Sequence, residues 1–492
     1  MDSRSQRQGC SRCSELHDTV KQQEEKLAQQ QQHLAEQQKR IERLEAELAK
    51  AKKNSRNSSK PPSGDIVNPP KKKPKGKGGK KRKIGGQPGH QRHERTPFSP
   101  EELDDHWIWW YDGCPCCGGK LNDVEVDQPR SIQQVDLAAL PPLHITQHDA
   151  QAQQCKTCDK IFVPQFPDEL RKAGLVGPRL TALVGFLKGA CHMSFSCIRK
   201  YLRDVVGVTI SRGMLRKLVG KVSASLEDPY EALLAMLPTE DRLNVDETGH
   251  KENGDRLWTW CFRAYLYTVY KISPSRGSVV LMEVLGAEFD GVLGCDYFSA
   301  YRKYMRLNDN VLLQFCLAHF IRDVKFLAEH PNKKNQAHGK RLLDDLRKLF
   351  GIIHRRHEYA SPETFRRSLE AAQRDLVWDA TMESPHTRET RALEERFYHH
   401  TESYFRFITE PNVEPTNNLA EHAMRFVAIH RRITQGTRSE EGRQWCERIW
   451  TVIQTCGQQG RSVFEFLCQA VEAHFKSQPA PSLEPPTAPD TS

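Results

Sequence analysis

The sequence has no apolar run long enough to cross a bilayer and no apolar segment near its start, so neither a membrane-spanning nor a secreted chain is expected. Without that secretory context, an odd count of fifteen Cys makes a poor disulfide framework. A reduced, cytoplasmic protein whose paired Cys serve metals is the expected setting. Acidic residues are scarce in one place: from Lys50 to Arg95 about sixteen Lys and Arg face two acids, about +14, while the whole chain carries +10. The basicity belongs to that segment, and the remainder is slightly acidic. A concentrated basic stretch suits a polyanion, DNA above all, because neutralising phosphates releases counterions; a solvated linker has the same composition. At 492 residues and 37% hydrophobic, the chain is expected to form several modules with a substantial core.

What is present changes along the chain. Residues 15–52 are rich in Gln, Glu, Lys and Ala, and Val20, Leu27, Leu34, Ile41 and Leu48 recur at every seventh position. The companion column Leu16, Gln23, Gln30, Gln37, Leu44 is half polar, so a modest, register-specific coiled coil joining copies of the chain is expected. Upstream, Cys10 and Cys13 form a lone CxxC with no second pair beside it. Residues 53–97 lack apolar periodicity and read as a basic linker, with Lys71, Lys72, Lys73, Lys80, Lys81, Arg82 and Lys83 as candidate DNA contacts. In the module 98–170, Cys114-Pro115-Cys116-Cys117 and Cys155-Lys156-Thr157-Cys158 have the form of two zinc knuckles. Four thiolates from Cys114, Cys117, Cys155 and Cys158 would hold one structural Zn2+ in a zinc-ribbon-like fold, with Cys116 spare.

Residues 175–238 read as helical. Ile198, Tyr201, Leu202 and Val205 lead to Gly207, and Ser211 can cap a helix whose apolar face is Leu215, Leu218, Val219 and Val222. The spacing suits a helix-turn-helix with Arg212, Arg216, Lys217 and Lys221 facing DNA, and an ordinary helical hairpin fits it nearly as well.

From Leu243 the pattern turns to strands: Leu243–Glu247, a hairpin turn at Asn253-Gly254, then Leu257–Phe262, Tyr265–Ile272, Val292–Cys295 and Val311–Cys316, with a helix at Ser278–Leu285. This β-β-β-α-β-α-β order is that of an α/β ribonuclease H-like core, spanning 239–321 and completed by helices in 406–476. The intervening residues 322–405 read as an all-helical insertion, and 477–492 as a tail. Three acids sit at element ends: Asp246 on the first strand, Asp296 just after the fourth, and Glu421 in the helix that Asn417-Asn418 opens. Converging carboxylates from such places can hold a pair of hard divalent cations for phosphodiester chemistry. The plainer readings are strand-end carboxylates satisfied by turn amides and, with Asn418 as N-cap, a capping box closed by Glu421. Neighbouring Glu247 competes for the metal role.

Asp246-Glu247-Thr248, Asp296-Tyr297-Phe298-Ser299-Ala300-Tyr301, Cys316-Leu317-Ala318-His319 and Asn417-Asn418-Leu419-Ala420-Glu421-His422-Ala423-Met424-Arg425 together resemble the DDE transposases of the insertion sequence 66 family. The order of coiled coil, Ser-Ser-Lys-Pro-Pro-Ser linker, Gly-Gly-Gln-Pro-Gly-His segment, knuckles and core is also similar. The resemblance implies that Asp246, Asp296 and Glu421 bind two Mg2+ or Mn2+ ions and cut and join DNA at element ends. It further implies support from Cys316, His319, Asn418 and Arg425, and small accessory proteins as partners. Phe320-Ile321-Arg322 stands where the family usually carries more Arg, and His430-Arg431-Arg432-Ile433 lacks the Asn that commonly follows the basic pair. A related nuclease that only hydrolyses, and a DNA-binding regulator or inactive domesticated relative, are the competing expectations.

Overall fold

The computed structural model describes residues 11–53, 57, 99–102, 116–117, 119–120, 143–150, 152–154, 161–162 and 164–485. Cys10, Cys114, Cys155, Cys158 and the basic run Lys71–Lys83 lie outside these residues, and so does most of the expected zinc module. The chain divides into two units, one of Met1–Pro70, Asp149–Lys200 and Ile210–Ser492, the other of Lys71–His148 and Tyr201–Thr209. In the second unit, Cys116 and Cys117 are exposed in a turn, and Gly207 closes the turn Leu202–Val206 by donating its N–H to the Leu202 carbonyl.

The first unit begins with α1 (Ser11–Ala51), whose polar composition and unbroken heptad column carry it over forty-one residues. Val20, Leu27, Leu34, Ile41 and Leu48 are all exposed. Its last turns dock on the same unit: Ala49 is buried, and Glu45 accepts a hydrogen bond from the Asn332 amide at 3.2 Å. A short antiparallel pair, β1 (Gln153–Gln154) and β2 (Ile161–Phe162), brackets the segment that holds Cys155 and Cys158.

Helices α2 (Asp168–Ala173), α3 (Pro178–Gly189), α4 (Phe195–Tyr201), α5 (Arg212–Ser225) and α6 (Glu227–Met236) follow. Ser211 caps α5 as expected, accepting the Met214 N–H at 3.2 Å, and Leu215, Leu218, Val219 and Val222 are buried. Arg212, Arg216 and Lys217 are exposed. Lys221, expected on the outer side, instead donates to the Ala173 carbonyl at 2.9 Å and lies over the Phe475 ring; one turn beyond Lys217 the face has rotated inward.

A five-stranded sheet of order β5-β4-β3-β6-β7 forms from β3 (Arg242–Glu252), β4 (Asp255–Arg263), β5 (Thr268–Ser273), β6 (Val292–Cys295) and β7 (Leu312–Phe315). The first three are antiparallel neighbours, and β6 and β7 run parallel to β3. Parallel pairing needs crossovers, supplied by α7 (Val279–Leu285) and α8 (Ser299–Leu307). After β7 the chain leaves the sheet through α9 (Leu317–Ala328), α10 (Lys333–His354), α11 (Pro362–Thr381) and α12 (Arg388–Thr409). It returns where Gln314 of β7 donates to the Tyr404 carbonyl at 3.1 Å and accepts the Phe407 N–H at 2.8 Å.

Three last helices complete the unit: α13 (Asn418–Thr434) on β3 and β4, α14 (Glu440–Gln458) along β5, and α15 (Val463–Phe475) against α3 and α5. The helices expected as a separate module in 175–238 thus share a core with α14 and α15. Edge strand β5 would expose unpaired N–H groups. Glu447, Thr451 and Thr455 of α14 accept those of Ile272, Tyr270 and Thr268 at 2.6, 3.1 and 3.2 Å. The match follows from geometry, since four residues of helix advance about 6 Å and two of strand about 6.7 Å. No helix among the described residues is long and apolar enough to cross a membrane.

Two stability tests follow from this packing. A Cβ on Gly339 of α10 would stand 2.3 Å from the Ala328 backbone nitrogen of α9. Gly339→Ala should therefore cost about 1–3 kcal/mol, read as a lowered thermal midpoint. Burial lifts the Glu447 carboxyl from 4.5 to about 7, so between those values the folded chain holds a proton that the unfolded chain has released. The stability this contributes is complete below the unfolded value and is lost as pH rises through about 7. Denaturation of Glu447→Gln should show a flatter decline over this window, by about 1–3 kcal/mol relative to wild type.

Candidate active site

Strand alternation puts Asn244 and Asp246 on the α13 face of β3, with Glu247 on the other. Asp246 is half-buried and accepts the Glu247 N–H at 2.9 Å. Asp296 follows β6 directly and accepts the Phe298 N–H at 2.8 Å, a turn that fixes its carboxylate at the strand end. Burial, then the charges of Glu247, Asp296 and Glu421, push the Asp246 carboxyl well above the ordinary carboxylate range. Asp296 is also raised by burial, with the Phe298 amide, Arg276 and Arg322 opposing. Asp246 therefore feels the charges of both Asp296 and Glu421, although Glu421 is 125 positions beyond Asp296 in sequence.

The return of Glu421 depends on Asn417. Its amide donates to the Val245 carbonyl at 2.8 Å and accepts from Asn244 at 2.8 Å, while its backbone N–H donates to Cys316 Sγ at 3.1 Å. Gly294 leaves the room for this pair, because a Cβ there would lie 2.5 Å from Asn244 Nδ2. The N-cap of α13 is Asn417, not Asn418, and its side chain is committed to the sheet rather than to the helix end. Asn418 is the first helical residue and is exposed. Glu421 is then one position too late for a capping box, and its N–H makes the first helical bond, to the Asn417 carbonyl at 3.1 Å.

Glu421 Oε1 accepts from Arg322 Nη2 at 3.0 Å and lies 3.5 Å from His319 Nδ1. Burial and the Arg322 charge lower His319 to about 4, so the imidazole is neutral near pH 7. Among the described residues, the one trio of Cys, His and acid with donor atoms within 4.8 Å of one another is Cys316, His319 and Glu421. Arg425 is exposed one turn further along α13.

Glu247, the rival for a metal role, is occupied. Its Oε1 accepts from Arg276 Nε and Nη2 at 3.0 and 2.7 Å, and its Oε2 accepts the Tyr301 hydroxyl at 2.5 Å. Arg276 is held between the rings of Trp258 and Phe298, 4.6 and 4.0 Å from their centroids. Burial and Asp296 raise Glu247 to about 7 against these partners. Arg276 and Asn244 carry no sequence signal, since each acts through a contact made by distant segments, and Arg322 stands out in the sequence only as part of a departure from the family pattern. Tyr301 lay inside the motif that begins at Asp296.

Removing the Asn417 amide leaves Asn244 and the Val245 carbonyl without a partner. Asn417→Ala should cost about 1–3 kcal/mol in denaturant unfolding, while the exposed Asn418→Ala stays near neutral.

Residues 173–445 match the transposase IS66 family, and residues 13–96 match a family of unknown function (DUF6444). Similar proteins from Sinorhizobium fredii include the uncharacterized protein y4qI, 24% identical over 353 residues that cover 66% of this chain and 65% of that protein. Another, the uncharacterized protein y4hP, is 24% identical over 381 residues, 70% of this chain and 67% of its own. A third, the uncharacterized protein y4jD, is 23% identical over 419 residues, 80% and 78% respectively. The chain spans just under two thirds of the first of these relatives. Because the family match runs through every strand of the five-stranded sheet, Asp246, Asp296 and Glu421, and covers more than half of the sequence, the chain belongs to the transposase IS66 family.

Proposed function

We propose that the chain binds the ends of an insertion element and carries out metal-dependent DNA strand cleavage and strand transfer, with Asp246, Asp296 and Glu421 as the catalytic carboxylates. The observation that carries this reading is the placing of Asp246 within β3, beside the end of β6 that Asp296 follows, where Asp296 and Glu421 both raise the proton affinity of Asp246. Such self-repelling hard oxygen donors are suited to divalent cations of the Mg2+ or Mn2+ class. Two bound cations would supply nucleophile activation and neutralisation of charge on the leaving oxygen of the phosphodiester. The chain's own residues do the positioning. Phe298 N–H orients Asp296, Asn417 brings the first turn of α13 to β3, and Arg322 supplies positive charge beside Glu421 for a phosphate oxygen to meet. Glu247, neutralised by Arg276 and Tyr301, stays outside the ligand set and stiffens the strand behind Asp246.

The sheet order and its antiparallel-then-parallel pairing support reading the core as ribonuclease H-like, interrupted by the helical insertion. We assign element-end binding to the N-terminal region: the basic run, a structural Zn2+ held by Cys114, Cys117, Cys155 and Cys158, and phosphate contacts from exposed Arg212, Arg216 and Lys217. The exposed heptad seam of α1 is assigned to self-association of the transposase, and small accessory proteins of the same element remain proposed partners.

The test is Mg2+-dependent cleavage and joining of the element's end DNA by purified protein, beside Asp246→Asn, Asp296→Asn and Glu421→Gln. Each variant should bind the DNA normally and lose about 100-fold or more in strand cleavage, roughly 2.7 kcal/mol of barrier. Wild type that joins a 3′-hydroxyl to target DNA excludes simple hydrolysis. Wild type that binds but never cuts, with accessory proteins present, would make the chain a DNA-binding regulator.

A further inference from the structure

Cys316 follows β7 as the N-cap residue of α9, and His319 lies one turn on, so both side chains stand at the same end of that helix. Glu421 meets them from α13. Sγ, an imidazole nitrogen and a carboxylate oxygen lie within 4.8 Å of one another. We propose that Cys316, His319 and Glu421 form a binding site for one thiophilic divalent cation of the zinc class, and that filling it withdraws Glu421 from Asp246 and Asp296.

Two further observations point to a ligand. His319 Nδ1 is buried without a hydrogen-bond partner, an arrangement that costs free energy unless something fills it. Asn417 N–H already donates to Cys316 Sγ, as outer-shell amides do to metal-bound sulfur. Three protein ligands plus one water is the open form of a tetrahedral zinc site, and closing the donors onto it requires movements of about 1 Å. His319 and Glu421 have side chains 17% and 25% exposed, so they have a free side toward which to turn. The Cys316 thiol releases its proton to solvent as the sulfur–metal bond forms, with no change of oxidation state. Mg2+ does not take thiol ligands, so this site and the all-carboxylate site select different ions and share only Glu421. Arg322 is the resident cation on Glu421, and the incoming metal must displace it or endure its charge.

Metal uptake does not depend on the proposed DNA chemistry; inhibition by that metal does. Full-length protein freed of metal and titrated with Co2+ should bind one equivalent more than Cys316→Ser or His319→Gln. The difference spectrum should carry a thiolate-to-cobalt charge-transfer band and the intense visible bands of four-coordinate cobalt. The four knuckle thiolates are common to all three proteins and cancel. Thermal melts confirm folding, and His319→Gln leaves buried Cys316 in place should the serine variant not fold. Arg322→Gln should tighten the extra site by about 10-fold, since it removes a competing positive charge. Equal cobalt uptake in wild type and both ligand variants overturns the proposal, and so does unchanged or weaker uptake in Arg322→Gln. One equivalent of Zn2+ at the site should slow Mg2+-dependent cleavage, with each protein compared to its own zinc-free rate. Cleavage without the extra cobalt site defeats this inference and leaves the enzyme reading standing. An extra cobalt site in a chain that never cuts DNA does the reverse.

Discussion

One buried side-chain amide, that of Asn417, joins segments separated by the whole helical insertion. It reaches β3 through Asn244 and the Val245 carbonyl, and its own N–H reaches the Cys316 sulfur at the exit of β7. Everything that makes the carboxylate cluster possible passes through this point. The cap of α13 sets where Glu421 lies, and the empty space over Gly294 lets the cap approach the sheet. The insertion can be long because closing a longer loop adds little entropic cost once both ends are pinned.

The cluster that results is electrostatically unfavourable by itself. Glu247, Asp296 and Glu421 each raise the proton affinity of Asp246, and Asp296 does the same to Glu247. Arg276 and Tyr301 offset Glu247, and Arg322 offsets Glu421. The rest of the unit supplies rigidity: α14 satisfies the edge of β5 with three side chains at helical spacing, and Gln314 ties the returning chain to β7. The carboxylate cluster thus sits on a sheet whose β5 edge is paired by α14 and whose β7 is tied to the returning chain.

Much of this was legible in the sequence, and the reasons are local. The short apolar run Val292–Cys295 and the Asn253-Gly254 turn carry strand and turn chemistry that decides conformation over a few positions. Ser211 as a cap and the face of Leu215, Leu218, Val219 and Val222 followed from helical period. Asp296 and Glu421 do stand at element ends, whereas β3 runs six residues past Asp246 to Glu252, because its hairpin with β4 extends the ladder to the Asn253-Gly254 turn. Two adjacent Asn offer the same local chemistry for a cap, and the contact with Asn244 singles out Asn417. Lys221 was placed outside because a helix read alone does not reveal how many neighbours wrap it.

The sequence by itself therefore determined the order of strands and helices, the heptad seam of α1 and the identity of the acids, since these depend on the period and chemistry of neighbouring residues. The tertiary structure alone decided that Glu247 is engaged by Arg276 and Tyr301, that Arg322 and His319 attend Glu421, and that Cys316 joins them. Those partners come from segments far apart in the chain, and their encounter depends on packing distances of a few ångströms that no local pattern encodes.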